Sequence, residues 1–115
     1  MLINELAKRV GVSVHTIRFY ERSGLIAGQR DPHVTSNNYF HYDEACVERL
    51  ELILEAKSVG FTIAEIAEII DAWYGNIYTK KQKIAILEHK IEALDAKIRD
   101  LRDMKKQIRD CIDEL

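Results

Sequence analysis

Apolar residues in the first quarter of the chain fall at helical spacing. Leu6, Ala7, Val10, Val14, Ile17, Phe19 and Leu25 form a pattern that breaks at Gly11 and resumes after Ser13. The break predicts two short helices joined by a tight turn. Gly11 can adopt the left-handed conformation that closes the first helix, and the Ser13 hydroxyl can accept from the unbonded amides that open the second. The predicted element is a helix-turn-helix over Ile3 to Ile26, with His15, Thr16 and Arg18 at the start of its second helix. In DNA-binding versions of this element, such side chains face base edges in the major groove.

Beyond Ile26 the periodicity stops. Gly28, Asp31, Pro32 and the Ser36-Asn37-Asn38 run are turn formers, and Tyr39 to Tyr42 suits a short strand, so Ala27 to Tyr42 reads as a small hairpin or wing. Asp43 is an expected N-cap, with Cys46 rather than Glu three residues later. Val47, Leu50, Ile53, Leu54 and Lys57 then share one helical face until Gly60. Thr62 and Glu65 form a capping-box pair before a stripe of Ile63, Ile66, Ala67, Ile69 and Ile70. Trp73 to Tyr78 reads as a short connection. The stretch from Lys80 to Glu114 lacks Pro and Gly, and as one helix it spans about 50 Å at about 1.5 Å per residue.

This last stretch follows a heptad. Position a holds Ile84, Ile91, Ile98, Lys105 and Ile112, and position d holds Leu87, Leu94, Leu101, Ile108 and Leu115. A stripe this narrow calls for a partner helix. An antiparallel pair centred near Ile98 to Leu101 sets Glu88 beside Arg109 and Asp95 beside Arg102, and it separates the two copies of Lys105. A parallel pair stacks Lys105 on its own copy and brings Lys97 towards Arg102. The charges favour the antiparallel form by about 0.2 to 1 kcal/mol per exposed pair, although Ile at a with Leu at d by itself permits a parallel dimer.

Charge refines the picture by its distribution. The net charge is −2, with balances of +2 over residues 1 to 42, −6 over 43 to 78 and +2 over 79 to 115. An acidic middle argues against unselective binding to polyanions and leaves affinity to a few placed cations. No apolar run approaches the roughly 20 residues that span a bilayer, and Glu5, Lys8 and Arg9 interrupt any signal-peptide pattern, so a cytoplasmic protein is expected. Two cysteines, Cys46 and Cys111, suggest no disulfide framework.

Together these segments resemble the MerR family of bacterial transcription regulators over essentially the full length. The resemblance rests on ELAKRVGVSVHTIRFYERSGLI, on NYFHYDEA, on VERLELILEAKSVGFTIAEIAEIID and on the closing coiled-coil helix. It implies a mainly α fold: a winged helix-turn-helix DNA-binding domain with a second helix pair over residues 1 to 75, then a long antiparallel coiled-coil dimerisation helix over 76 to 115, with any effector segment short or absent. It also implies a homodimer on double-stranded promoter DNA, bending and untwisting the operator for RNA polymerase when an inducer is bound, so that specificity extends to untouched positions. By position, His15 and Arg18 would contact base edges, and Thr16, Tyr20, Arg30, Tyr39 and Lys57 would contact phosphates. Arginine can grip guanine with two hydrogen bonds, whereas hydroxyl and ammonium groups position the backbone. Phe40 stands where the family commonly has Arg, which removes one phosphate contact unless His41 or Arg30 replaces it.

The effector stays open at this stage. In metal-sensing relatives a cysteine near the end of the dimerisation helix is a ligand alongside others. Here Thr79 occupies the helix-start position and the sequence ends four residues after Cys111, and one thiolate cannot complete a site. Either the remaining ligands lie on a further C-terminal segment, or Cys111 serves thiol-based redox or electrophile sensing, helped by Lys90 of an antiparallel partner. The bland alternative is a small residue at the seam edge. His33, His41 and His89 have no partner at ligand spacing, Cys46 reads as structural, and no cofactor is implied. A protein that bends DNA without sensing anything is the reading from a different class. An enzyme is not expected, because no nucleophile, base and orienting group gather.

Overall fold

The computed structural model describes residues 1–30, 40–75 and 77–115. They form α1 (Ile3–Val10), α2 (Val14–Arg22), β1 (Gln29–Arg30), β2 (Phe40–His41), α3 (Glu44–Ser58), α4 (Ile63–Tyr74) and α5 (Lys80–Asp113). The chain divides into two compact units, Met1–Gly75 and Asn76–Leu115.

In the first unit, local chemistry fixes the helix ends. Gly11 adopts φ 76°, and Val12 N donates to Ala7 O at 3.1 Å, closing α1 as a residue without Cβ allows. Ser13 Oγ accepts from Thr16 N at 3.1 Å to open α2. Asp43 Oδ1 accepts from Cys46 N at 3.0 Å to open α3. Thr62 and Glu65 satisfy each other's backbone amides in a complete capping box. The same device, Thr79 with Gln82, opens α5.

Packing then selects the inner faces. α1 contacts α2 and α3, and α3 contacts α4. Leu6, Ile17, Leu50, Ile53 and Ile66 are fully buried where these faces meet. Arg9 and Glu44 form a two-pronged ion pair from α1 to α3, one prong being Arg9 Nη2 to Glu44 Oε2 at 2.6 Å. Arg49 lies 4.9 Å from the centroid of the Tyr74 ring, a cation–π contact from α3 to the end of α4.

Three expectations need correction. Phe19 was expected on the inner face of the second helix, but it is 42% exposed and its neighbour Tyr20 is buried instead. From Ile17, a step of three residues returns to the same helical face and a step of two does not. On α3 the inner face continues through Ala56, and Lys57 points to solvent. Trp73 and Tyr74 belong to α4 rather than to a connection, since no helix breaker precedes Gly75. The wing pairs antiparallel, with Gln29 opposite His41 and Arg30 opposite Phe40. The turn residues Asp31 to Asn38 and the expected phosphate contact Tyr39 lie outside the described residues.

The second unit is a single helix of 34 residues. Its heptad face is bare within one chain: Ile84, Leu87, Ile91, Ile98, Leu101, Ile108 and Ile112 are each between 40% and 64% exposed. Leu94 is half-buried. No helix among the described residues is long and apolar enough to cross a membrane.

Truncation of Leu50, fully buried in α3, tests the core assignment. Leu50→Ala is expected to lower unfolding free energy by about 2 to 5 kcal/mol in urea titration, with little change in the slope. A loss under about 1 kcal/mol would show that α3 is not central to the core.

Candidate nucleic-acid interface

The outward side of α2 is set by what its inward side buries. Ile17 and Tyr20 are sunk in the core at 0% and 4% exposure, so His15 and Arg18 project to solvent. Thr16 is half-buried, and its hydroxyl lies 2.9 Å from Ser13 Oγ, so it is partly committed to the cap. Tyr20 is the expected phosphate contact that geometry alters most. Its ring belongs to the core and meets Phe19 at 5.6 Å between centroids, which makes packing its main work. Lys57 is exposed in the last turn of α3. Arg30 is exposed on β1. His15, Thr16, Arg18, Arg30 and Lys57 thus share the first unit, whereas Tyr39 is not described.

Sequence reasoning missed the link between wing and α2. Tyr42, immediately after β2, donates its phenol hydrogen to Glu21 on α2. Its backbone is clamped by Met1: Tyr42 N donates to Met1 O at 2.8 Å, and Met1 N donates to Tyr42 O at 2.9 Å. Its ring passes so close to Gly28 that a Cβ there would come within 3.0 Å. Gly28 therefore serves the approach of the ring. Burial, the Glu21 hydrogen bond and the Glu21 charge all raise the Tyr42 phenol well above its ordinary range, while the Arg18 charge acts the other way. The sequence signal was no more than an aromatic residue ahead of Asp43.

The two cysteines differ sharply in setting. Cys46 is 4% exposed, and burial, followed by the Asp43 and Glu21 charges, pushes its thiol up to about 11. Cys111 is exposed on α5. Lys90, expected to assist Cys111 across a dimer, is only 7% exposed and already engaged in its own chain. Among the described residues no three His, Cys, Asp or Glu side chains gather as a metal site.

With this geometry in place, comparison with known proteins is decisive. The family description "MerR HTH family regulatory protein" matches residues 1–73, and "MerR, DNA binding" matches residues 47–111. The chain belongs to the MerR family. The mercuric resistance operon regulatory protein of Shigella flexneri is 33% identical over 112 residues, covering 97% of this chain and 74% of the relative. The transcription regulator PbrR691 from Ralstonia metallidurans CH34, solved in complex with lead(II), superposes with a TM-score of 0.81 at 27% identity, over 96% of this chain and 84% of that one. HiNmlR, a MerR family regulator lacking the sensor domain and bound to promoter DNA, shares the fold with a TM-score of 0.65 at 19% identity, over 90% and 76% of the two chains. The mainly helical fold with its small wing and long closing helix is that of MerR regulators.

The contrast between the thiols is directly measurable. At pH 8, iodoacetamide should alkylate Cys111 rapidly and Cys46 far more slowly, because Cys46 is both shielded and almost wholly protonated below about 11. Peptide mass mapping should show both reacting alike once urea unfolds the chain. Equal rates in the folded protein would contradict the burial of Cys46.

Proposed function

We propose that this MerR family member is a homodimeric, sequence-specific regulator of transcription that binds double-stranded promoter DNA and distorts it in response to an effector. The observation that carries this reading is the outward face of α2, where a buried Ile17 and Tyr20 oblige Arg18 and His15 to face solvent. Arg18 reads a base edge with His15 beside it. Thr16, Arg30, Tyr39 and Lys57 hold phosphates, with Tyr20 supporting α2 from beneath. Few cations are placed on this surface, so binding depends on register rather than on bulk charge. The distorted promoter is presented to RNA polymerase in the cytoplasm.

The bare heptad face of α5 supports the dimer. Ile84, Leu87, Ile91, Leu94, Ile98, Leu101, Ile108 and Ile112 form the seam with a second copy, and the charges favour an antiparallel pair. For the effector, the mercuric resistance regulator and lead-bound PbrR691 support a soft metal ion. The exposed Cys111 supplies one thiolate to such an ion, or reacts with an electrophile in its place.

The DNA-binding reading is tested on the duplex that the wild-type protein selects from a randomised library. Arg18→Ala should relax specificity at one base pair of each half-site, costing about 1 to 3 kcal/mol there. Lys57→Ala should weaken selected and scrambled duplexes alike and flatten the salt dependence. Uniform weakening by Arg18→Ala would remove it from base reading.

Orientation has its own measurement. In the antiparallel pair the two Cys111 residues lie about 35 Å apart, at about 1.5 Å per residue from the centre of the seam. A short bismaleimide should therefore give no covalent dimer of the native protein, while sedimentation shows a dimer. Efficient crosslinking would establish the parallel form.

A further inference from the structure

Arg18 has one acidic neighbour on its own helix. Positions three and four residues apart face each other on a helix, and around Arg18 these are Val14, His15, Glu21 and Arg22. Glu21 could therefore fold back onto the Arg18 guanidinium. A base-reading arginine that is paired within its own helix must give up that partner before it can grip a base. The carboxylate would also stand beside approaching phosphates.

Glu21 is held elsewhere. Its carboxylate accepts the Tyr42 phenol hydrogen. Tyr42 is fixed in turn by its two backbone bonds to Met1 and by the close passage of its ring over Gly28. Arg9 pairs with Glu44, and no ion pair within 4 Å involves Arg18 among the described residues. Arg18 is nevertheless close enough for its charge to be felt at the Tyr42 phenol. Arg18, Glu21 and Tyr42 are thus one local cluster in which the hydroxyl, not the guanidinium, holds the carboxylate.

We infer that Tyr42 is a positioning residue for DNA reading: by holding Glu21, its hydroxyl keeps the carboxylate off Arg18 and leaves the guanidinium available to a base edge. The inference rests on the proposed base-reading role of Arg18. It assigns to the residue after the wing a part in specificity, although Tyr42 itself is buried.

The test uses the full chain and the duplex that the wild type selects, compared with the same duplex substituted at the Arg18-dependent base pair. Tyr42→Phe keeps the ring over Gly28 and removes only the hydroxyl. It should reduce discrimination between the two duplexes by about threefold to tenfold, the range expected when a released carboxylate competes for an exposed cation and opposes phosphates. Tyr42→Phe with Glu21→Gln should recover most of that loss, since an amide has no charge to offer Arg18. Glu21→Gln alone should stay within about twofold of wild type. Undiminished discrimination in Tyr42→Phe overturns the proposal, as does failure of Glu21→Gln to rescue it, which would mark the hydroxyl as merely structural. Should Tyr42→Phe prove unfolded by circular dichroism, the Arg18 Nε–Hε resonance of wild type and Glu21→Gln decides. An unchanged resonance supports the proposal, and a shifted one shows that the carboxylate already sits on Arg18. If Arg18→Ala itself leaves discrimination intact, base reading by Arg18 has failed. If Arg18→Ala abolishes discrimination and Tyr42→Phe does not touch it, only the role of Tyr42 has failed.

Discussion

Everything outward on α2 follows from the burial of two residues on its inner side. Ile17 and Tyr20 lie one turn apart and leave 0% and 4% of their surface to solvent, so rotation of the helix by even one residue position would expose a large apolar group. Full burial of such a side chain is worth about 1.5 to 3 kcal/mol. That preference for one rotational setting decides which side chains meet solvent. The Ser13 cap fixes where the helix begins, and the turn at Gly11 fixes where α1 stops short of it. The same two residues therefore stabilise the domain and aim His15 and Arg18.

The long helix poses the opposite problem, an apolar face that stays largely exposed among the described residues. A supercoiled partner solves that problem along the whole stripe at once, because a and d positions recur every seven residues over 34 residues of helix. Lys105 at an a position is then informative. A lysine in the seam weakens it, yet it penalises any register that stacks two ammonium groups. In the proposed antiparallel dimer it faces Leu94, and its stem can lie along the seam while its head reaches water.

How far the sequence could be read depended on the range of the interactions involved. The Gly11 turn and the Ser13, Asp43 and Thr62 caps were legible because each is a bond between residues three to five apart. The heptad was legible because one period persists through α5. The choice between Phe19 and Tyr20 was misjudged because Phe is the more apolar of two adjacent aromatics, although the three-residue step from Ile17 favours Tyr20. Trp73 and Tyr74 were misplaced because aromatics are poor helix formers in isolation, a weak preference that packing of α4 overrides. Among the site residues, the positions of His15 and Arg18 on a helix surface could be foreseen from spacing, whereas spacing put Lys57 on the inner face of α3, where Ala56 lies instead. The bond from Tyr42 to Glu21 could not be foreseen, because 21 residues of chain separate the partners and no periodicity relates them.

That unforeseen bond also changes how the wing should be regarded. Two strands of two residues each hold little hydrogen-bonded structure of their own, and a two-stranded hairpin is marginal in water. Its exit is nevertheless anchored at Tyr42 by the backbone of Met1, by the space over Gly28 and by the carboxylate of Glu21. An anchor shared by the chain start, the wing and α2 makes their relative placement a single cooperative feature. A buried, hydrogen-bonded phenol strengthens such a feature because breaking the bond leaves a polar group without a partner in a poorly solvated site. Displacement of the wing by a bent duplex would therefore be felt at Glu21, one helical turn from Arg18. If α2 reads bases as proposed, the exit of the wing and the base-reading helix are tied through one hydroxyl.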